Sequence, residues 1–140
     1  MVGDIEQVNP ELIGNLVNDG FIPVVAPIAT DAEGGSYNIN ADLAAAEIAQ
    51  ALGAEKLILL TDVAGILDSS GKLQPFLSVR DARAQIRKGS ISEGMVPKVE
   101  CAVEALLGGV NQVHIIDGRV THAVLLEIFT NKGVGTEVVA

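Results

Sequence analysis

A small set of polar side chains in this 140-residue sequence could bind or move a phosphoryl group. Phosphoryl transfer passes through a transition state whose negative charge is spread over the γ-oxygens, and a positioned cation stabilises that charge. A lysine oriented by a carboxylate fits this requirement. The candidate residues are two amides, two carboxylates and one amine: Asn38, Asn40, Asp42, Asp62 and Lys98.

The stretch 37–42 begins as an extended segment and leads into an alanine-rich run. Asn40 stands where a helix N-cap belongs, and Asp42 falls in the first turn of the predicted helix. Unpaired N–H groups and the macrodipole favour negative charge at such an end, so it can receive a phosphate or carboxylate ligand. Under the alternative interpretation, Asn40 merely caps the helix and Asp42 merely offsets the dipole.

Lys98 follows the loop 94–97 and falls in the first turn of another predicted helix. A lysine there opposes the helix dipole, which weakens a structural explanation, although an ordinary solvated lysine remains the alternative. Asp62 follows an apolar run that we interpret as a strand. Ligands bind beyond the carboxyl ends of strands in parallel sheets, so residues 62–67 are a candidate binding loop.

Apolar runs interpreted as strands alternate with predicted helices along the chain. This alternation predicts an α/β fold with a mainly parallel sheet and helices on both faces, in a single domain spanning residues 1–140. The predicted strands are 21–28, 56–61, 112–116 and 136–139, and residues 73–79 are read as irregular or short extended chain. The predicted helices are 11–18, 41–52, 81–88, 96–107 and 122–130, the last with Thr121 as N-cap.

Composition excludes several classes of protein. The formal net charge of −9 argues against non-specific binding to nucleic acid or to an anionic membrane. No apolar run approaches the roughly 20 residues of a membrane span. Cys101 is the only cysteine, so neither an internal disulfide nor a cysteine metal cluster is expected. Residues 1–4 lack the basic and apolar regions of a secretory signal, so we expect a cytoplasmic protein, or a stromal one if the source is a plant.

Common nucleotide and hydrolase motifs are missing from the sequence. There is no G-x-G-x-x-G after a strand, no G-x-x-x-x-G-K-[ST] and no G-x-S-x-G. A dinucleotide dehydrogenase, a Walker-type ATPase and an α/β-hydrolase therefore lose support.

Three motifs, at 37–42, 59–67 and 94–99, resemble the carboxy-terminal half of the N-acetylglutamate kinases, a branch of the amino acid kinase family. The resemblance extends over essentially the whole chain and implies a carbamate kinase-like, three-layer α/β/α sandwich that binds ATP with Mg²⁺. It implies transfer of the γ-phosphoryl group to the side-chain carboxylate of N-acetyl-L-glutamate, in arginine biosynthesis. Lys98 and Asp42 would be catalytic, with Asn38 and Asn40 at the substrate and no residue bound directly to metal. The implied ATP site comprises Thr61, Asp62, Val63, Gly65, Ile66, Leu67, Ser90, Ser92 and Met95.

A second group of motifs, at 114–119, 122–130 and 133–136, resembles the arginine-inhibited, hexameric members of that branch. By this resemblance His114, Glu127 and Gly133 would hold L-arginine as feedback inhibitor. A carboxylate pairs well with a guanidinium. Without the resemblance, His114 is interpreted as a core histidine whose hydrogen bonds are satisfied, and Glu127 as an ordinary solvated charge. Similar proteins in photosynthetic organisms also bind the P-II signalling protein.

The resemblance has one large departure, because the enzymes of this branch are about twice as long. Their amino-terminal half carries another lysine, glycine-rich turns and most of the acetylglutamate pocket. We therefore expect a fragment that lacks the substrate half, exposes an apolar surface and is inactive alone. The alternative from another class is a non-catalytic module that binds arginine and drives oligomerisation.

Overall fold

The start of one helix follows a capping residue that the sequence carries. Helix α1 spans Glu11–Asn18. Helix α2 spans Ala41–Ala51, and the side chain of Asn40 accepts hydrogen bonds from the backbone N–H groups of Asp42 and Leu43 at 2.9 and 3.2 Å. This is the N-cap expected from sequence, because a short amide satisfies donors that have no partner within the helix.

The computed structural model describes residues 3–130 and 133–140. The further helices are α3 (Val79–Arg87), α4 (Val96–Leu107) and α5 (Ala123–Phe129). The strands are β1 (Ile28–Thr30), β2 (Ser36–Asn38), β3 (Lys56–Thr61), β4 (Phe76–Ser78), β5 (Gln112–Asp117) and β6 (Gly135–Val139).

Four strands form the main sheet in the order β3-β5-β6-β4. β3 and β5 are parallel over their full length, and β4 is parallel to β6. β5 and β6 are antiparallel, so the mainly parallel sheet expected from sequence contains one reversed pair. β1 and β2 form a separate antiparallel hairpin that leads into α2.

The two faces of the sheet are covered unequally. Helices α2, α3 and α4 cover one face, where Leu57, Leu59, Val113 and Ile115 are buried in a common core. The short helix α5 packs against β5 on the other face, where the alternate residue His114 is buried. This gives the predicted three layers. No helix in the described part of the chain is both long and apolar enough to cross a bilayer.

The strand predicted at 21–28 is largely wrong. Only its last residue belongs to a strand, β1, and the side chains of Ile22 and Val24 are 91% and 95% exposed. An apolar run becomes a strand only where a neighbour accepts and donates its backbone hydrogen bonds. No strand of the described residues pairs with residues 21–27.

The cap predicted at Thr121 is also wrong. Helix α5 begins at Ala123, and His122 holds the cap position with φ of 61° and no capping side-chain hydrogen bond. The chain therefore enters α5 through a left-handed residue, which a sequence-based cap rule does not anticipate.

The stretch 73–79, read from sequence as irregular or short extended chain, contains the three-residue strand β4, so that description fits.

Candidate functional site

Lys98 and Asp42 form an ion pair between two helix N-termini. The Lys98 Nζ donates to Asp42 Oδ2 at 2.7 Å and to Oδ1 at 2.9 Å. Asp42 is in the first turn of α2 and Lys98 in that of α4, and the two side chains are 26% and 21% exposed. A lysine ammonium has three protons, so the partly exposed Nζ keeps one for a ligand.

The two helices that carry this pair are joined by a further contact. The Cys101 thiol, one turn beyond Lys98, donates a hydrogen bond of 3.1 Å to the backbone carbonyl of Asp42. Burial raises the pKa of this thiol to about 11, and the charge of Asp42 adds to the shift. Asp42 is thus held through both its carboxylate and its backbone.

The amides assigned to the substrate lie on the approach to α2. Asn38 is the last residue of β2 and is exposed, as is Asn40. The Asn40 Oδ1 is engaged in the cap, so the structural interpretation of this residue holds. Asn40 lies two residues before Asp42, and its role in substrate binding stays a prediction.

Most of the residues assigned to ATP line one cleft of about 410 Å³, formed by the loop after β3 and the loop before α4. Met95 contributes to this cleft and immediately precedes α4, so the cleft and Lys98 meet at the same helix end. The seven assigned residues that line it are Val63, Gly65, Ile66, Leu67, Ser90, Ser92 and Met95.

The other two assigned residues lie at the strand end rather than in the cleft wall. Thr61 closes β3, and its hydroxyl donates a long hydrogen bond of 3.5 Å to Asp62 Oδ1. Gly118 N–H donates to the Thr61 carbonyl at 2.8 Å, which ties the ends of β3 and β5 together. Asp62 is exposed and adjoins the cleft residue Val63.

Sequence reasoning missed Thr136, which shapes the cleft loop from β6. Its Oγ1 accepts a hydrogen bond from Ile66 N–H at 2.8 Å and donates one to the Gln74 carbonyl at 2.7 Å. Gly65 has φ of 138°, and a Cβ there would lie 2.7 Å from the same Oγ1. The position therefore requires glycine. In the sequence, Thr136 belongs to the motif 133–136 and begins a short predicted strand, but neither feature indicates a contact with the cleft loop.

An ion pair closes the turn after β5. Asp117 Oδ1 accepts from Arg119 Nε at 2.9 Å, and Oδ2 accepts from Nη2 at 2.8 Å. These hydrogen bonds, helped by the Arg119 backbone N–H, lower the pKa of Asp117 to about 2. The pair lies at the carboxyl edge of the sheet, but Arg119 is mostly exposed and its effect is on the turn.

The residues assigned to arginine come together on the opposite face of the sheet. His114 Nδ1 lies 2.6 Å from Glu127 Oε1, and both side chains are less than 10% exposed. Val134 N–H donates to Glu127 Oε2 at 2.6 Å. His114 Nε2 is buried without a hydrogen-bond partner in the described residues. A pocket of about 280 Å³ includes His114, Glu127 and Gly133 in its lining.

Within the ranges 3–130 and 133–140, no three His, Cys, Asp or Glu side chains group as a metal site. Nucleotide phosphates supply oxygen ligands of the kind that Mg²⁺ prefers.

Known proteins resemble this chain in sequence. Residues 1–117 match the model of the amino acid kinase family. The acetylglutamate kinase of Chromohalobacter salexigens is 58% identical over 135 residues, which cover 96% of this chain and 44% of that enzyme. The chain therefore spans less than half the length of that curated relative.

Solved structures share the fold. An N-acetylglutamate synthase from Neisseria gonorrhoeae, complexed with coenzyme A and L-arginine, superposes with a TM-score of 0.93 at 30% identity, over 99% of this chain and 32% of that one. A carbamate kinase from Giardia lamblia bound to citric acid gives a TM-score of 0.73 at 22% identity, over 96% of this chain and 44% of that one. The carbamate kinase-like fold expected from sequence is confirmed.

Proposed function

This chain belongs to the amino acid kinase family, and we propose that it forms the nucleotide-binding part of an acetylglutamate kinase. The whole enzyme transfers the γ-phosphoryl group of ATP to the side-chain carboxylate of N-acetyl-L-glutamate, in the cytoplasm and in arginine biosynthesis. The observation that carries the proposal is the Lys98–Asp42 ion pair at the start of α4, beside a cleft that the same helix end lines.

Each group has a chemical task in this proposal. The cleft of about 410 Å³ takes the adenosine end, because apolar side chains and small hydroxyls such as Ser90 and Ser92 line it. Lys98 stabilises the charge of the transferring phosphoryl group, and Asp42 fixes where its ammonium points. Mg²⁺ accompanies ATP and supplies charge neutralisation at the phosphates. Asn38 and Asn40 face the acceptor.

The curated relatives are more than twice as long as the part of them that aligns with this chain, and this limits the activity expected of the chain alone. The aligned part covers 44% of one such relative and 47% of another. We expect the 140-residue chain to bind MgATP and to phosphorylate acetylglutamate weakly or not at all. Ordinary turnover by this chain alone in a coupled ADP-release assay would contradict that expectation.

Calorimetry with MgATP tests the proposal directly. Lys98→Met should weaken MgATP binding by roughly 10- to 100-fold, because a charge-assisted contact to phosphate is lost. Asp62→Ala should abolish the binding heat, because the strand-end carboxylate next to the cleft is removed. Lys56→Met is the control, since it removes the same charge at the opposite end of β3 and should leave the affinity unchanged.

The outcomes separate the hypotheses. Failure of the unsubstituted chain to bind MgATP would contradict the proposed nucleotide site. An equal loss of MgATP affinity in Lys56→Met and Lys98→Met would also contradict it. Adenosine serves as a second ligand, because it lacks phosphates and should be insensitive to Lys98→Met.

A second candidate function is L-arginine binding at the pocket beside α5. The observation that favours it is the buried His114–Glu127 pair, whose His114 Nε2 has no partner in the described chain. The synthase that shares this fold was solved with L-arginine. A buried carboxylate with a free imidazole nitrogen beside it suits a guanidinium and an α-carboxylate respectively.

Arginine calorimetry tests this second candidate. Glu127→Ala should abolish arginine heat and leave MgATP heat intact, and agmatine, which lacks the carboxylate, should bind more weakly than arginine. Arginine binding without any nucleotide binding would favour the non-catalytic module. The hexamer and the P-II partner remain predictions from resemblance, and oligomeric state with and without arginine is their test.

A further inference from the structure

The nucleotide cleft lies between two walls, formed by residues 63–71 and by residues 89–95. The first wall continues into a hairpin whose base is closed by the backbone, where Gln74 N–H donates to the Ile66 carbonyl at 2.9 Å. At the tip, Asp68 Oδ1 accepts hydrogen bonds from two backbone N–H groups of the turn at 2.8 and 3.0 Å. The hairpin is therefore braced within itself, and contacts at its base decide where the first wall stands.

The second wall starts from the end of α3. Ser90 N–H donates to the Gln85 carbonyl at 3.0 Å, and Gly89 N–H donates to the Ile86 carbonyl at 3.0 Å. Gly89 itself has φ of 67°. This is the Schellman ending of a helix, in which a left-handed glycine lets the chain satisfy the last carbonyl groups. The last turn of α3 therefore sets the position of the second wall, with Gln85 as one of its acceptors.

The side chain of Gln85 reaches the base of the first wall. Its Nε2 donates to Gln74 Oε1 at 2.8 Å, and Gln74 Nε2 donates to Gln85 Oε1 at 3.0 Å. Both side chains are half-buried. Two hydrogen bonds between planar amides fix their relative orientation as well as their distance. Helix α3 is itself anchored in the core by the fully buried Ala82. Gln85 thus bonds to one wall through its side chain and to the other through its carbonyl.

We propose that the Gln74–Gln85 amide pair sets the separation of the two cleft walls and so selects a purine base over a pyrimidine. This inference rests on the proposed function, because it concerns the same cleft. A purine is the larger ring system and contacts both walls, so its affinity depends on their distance. A pyrimidine fills less of the space, and its binding relies more on the phosphates at Lys98. Walls that are held before the nucleotide arrives also avoid the cost of ordering them on binding.

The test compares MgATP with MgUTP by calorimetry on the full 140-residue chain. Gln85→Met keeps an unbranched, helix-favouring side chain and removes both hydrogen bonds. It should weaken MgATP binding roughly tenfold and MgUTP binding by no more than about twofold, so discrimination between the bases falls. Gln50→Met is the control, since it makes the same change at a half-buried position of α2, beside Gly108, and should match the unsubstituted chain.

The partner residue gives an independent check. Gln74→Met should reproduce the loss, and the double variant should lose no more than either single variant, because the same pair is broken in all three. Gln85→Glu keeps the hydrogen bond accepted from Gln74 and should retain part of the discrimination. Additive losses in the double variant would show that the two glutamines act separately, and would overturn the proposal.

The remaining outcomes are equally decisive. Equal losses of MgATP and MgUTP affinity in Gln85→Met indicate a general structural effect and overturn the proposal, as does an unchanged MgATP affinity. If the methionine variants do not fold, Gln85→Glu decides, because a lowered discrimination supports the proposal and an unchanged one overturns it. Failure of the unsubstituted chain to bind either nucleotide overturns the proposed function, whereas equal affinity of that chain for both nucleotides refutes only the base selection.

Discussion

The Cys101 thiol lies 3.1 Å from the backbone carbonyl of Asp42, whose carboxylate is held by Lys98 one helical turn away. Two side chains on α4, those of Lys98 and Cys101, therefore form hydrogen bonds with the same residue of α2. The thiol contact needs the protonated form, because only S–H can donate to a carbonyl. This arrangement gives the one cysteine of the chain a structural role with a chemical signature.

We expect Cys101 to react slowly with iodoacetamide in the native protein. Its pKa is raised from 9.0 to about 11 by burial, so at pH 8 about a hundredfold less thiolate is present than for an unperturbed thiol. Alkylation followed by mass spectrometry in buffer and in 6 M urea measures the difference. A native rate equal to the unfolded rate would contradict the buried hydrogen bond.

The Lys98–Asp42 pair should contribute modestly to stability. Both side chains are about a quarter exposed, so solvent screening limits the coupling energy to about 0.5–1 kcal/mol. Urea unfolding of Lys98→Met, Asp42→Asn and the double variant forms the cycle that measures it. A much larger coupling would indicate that the pair supports the fold rather than ligand binding.

The His114–Glu127 pair should behave differently, because both side chains are buried. Glu127→Ala leaves His114 and the Val134 N–H without a partner and should lower the free energy of unfolding by about 3 kcal/mol. Glu127→Gln keeps an acceptor and should cost about 1 kcal/mol. Urea midpoints with unchanged m-values measure both effects, and equal effects of the two variants would contradict this account.

Asp117 gives a pH dependence of known sign. Its pKa is lowered from 3.8 to about 2 by the Arg119 side chain, so the stabilisation is present above pH 4 and is lost as pH falls through 2. The melting temperature of Asp117→Asn should therefore lie below that of the unsubstituted chain at pH 5, and the gap should shrink towards pH 2. Asp19→Asn, at an exposed position, is the control.

The exposed apolar segment before β1 should promote self-association. Ile22 and Val24 are more than nine-tenths exposed, and Phe21 and Val25 beside them are more than half exposed. A contiguous exposed apolar surface is a hazard for association between molecules. Ile22→Lys with Val24→Lys should reduce concentration-dependent association in light scattering, while Leu12→Lys on α1 should have a smaller effect.

Local sequence signals predicted several elements with correct positions. α2 follows from the Asn40 cap and the glycine at 53, and β3 and β5 follow from apolar runs of strand length. These elements are specified by residues close in sequence. The segment 21–28 carries an equally strong apolar signal, but strand formation depends on a neighbour that local sequence does not specify.

The candidate site, like the fold, was only partly predictable from local sequence. The resemblance selected Lys98 and Asp42, and the structure shows them in contact although 56 positions separate them. Residue types alone left both as either ligands or ordinary surface charges, because no local rule reports a distance between helices. The sequence analysis included Thr136 in the motif 133–136 but gave it no role, because a hydroxyl that supports a loop from a remote strand leaves no local pattern.

The place of β6 between β5 and β4 has a consequence for synthesis on the ribosome. The strands on either side of it are complete much earlier, since β5 ends at Asp117 and β4 at Ser78. They cannot be joined until residues 135–139 have left the exit tunnel. A nascent chain arrested before that point carries the β3–β5 pair with an open edge on β5, and β4 as a single strand without its neighbour.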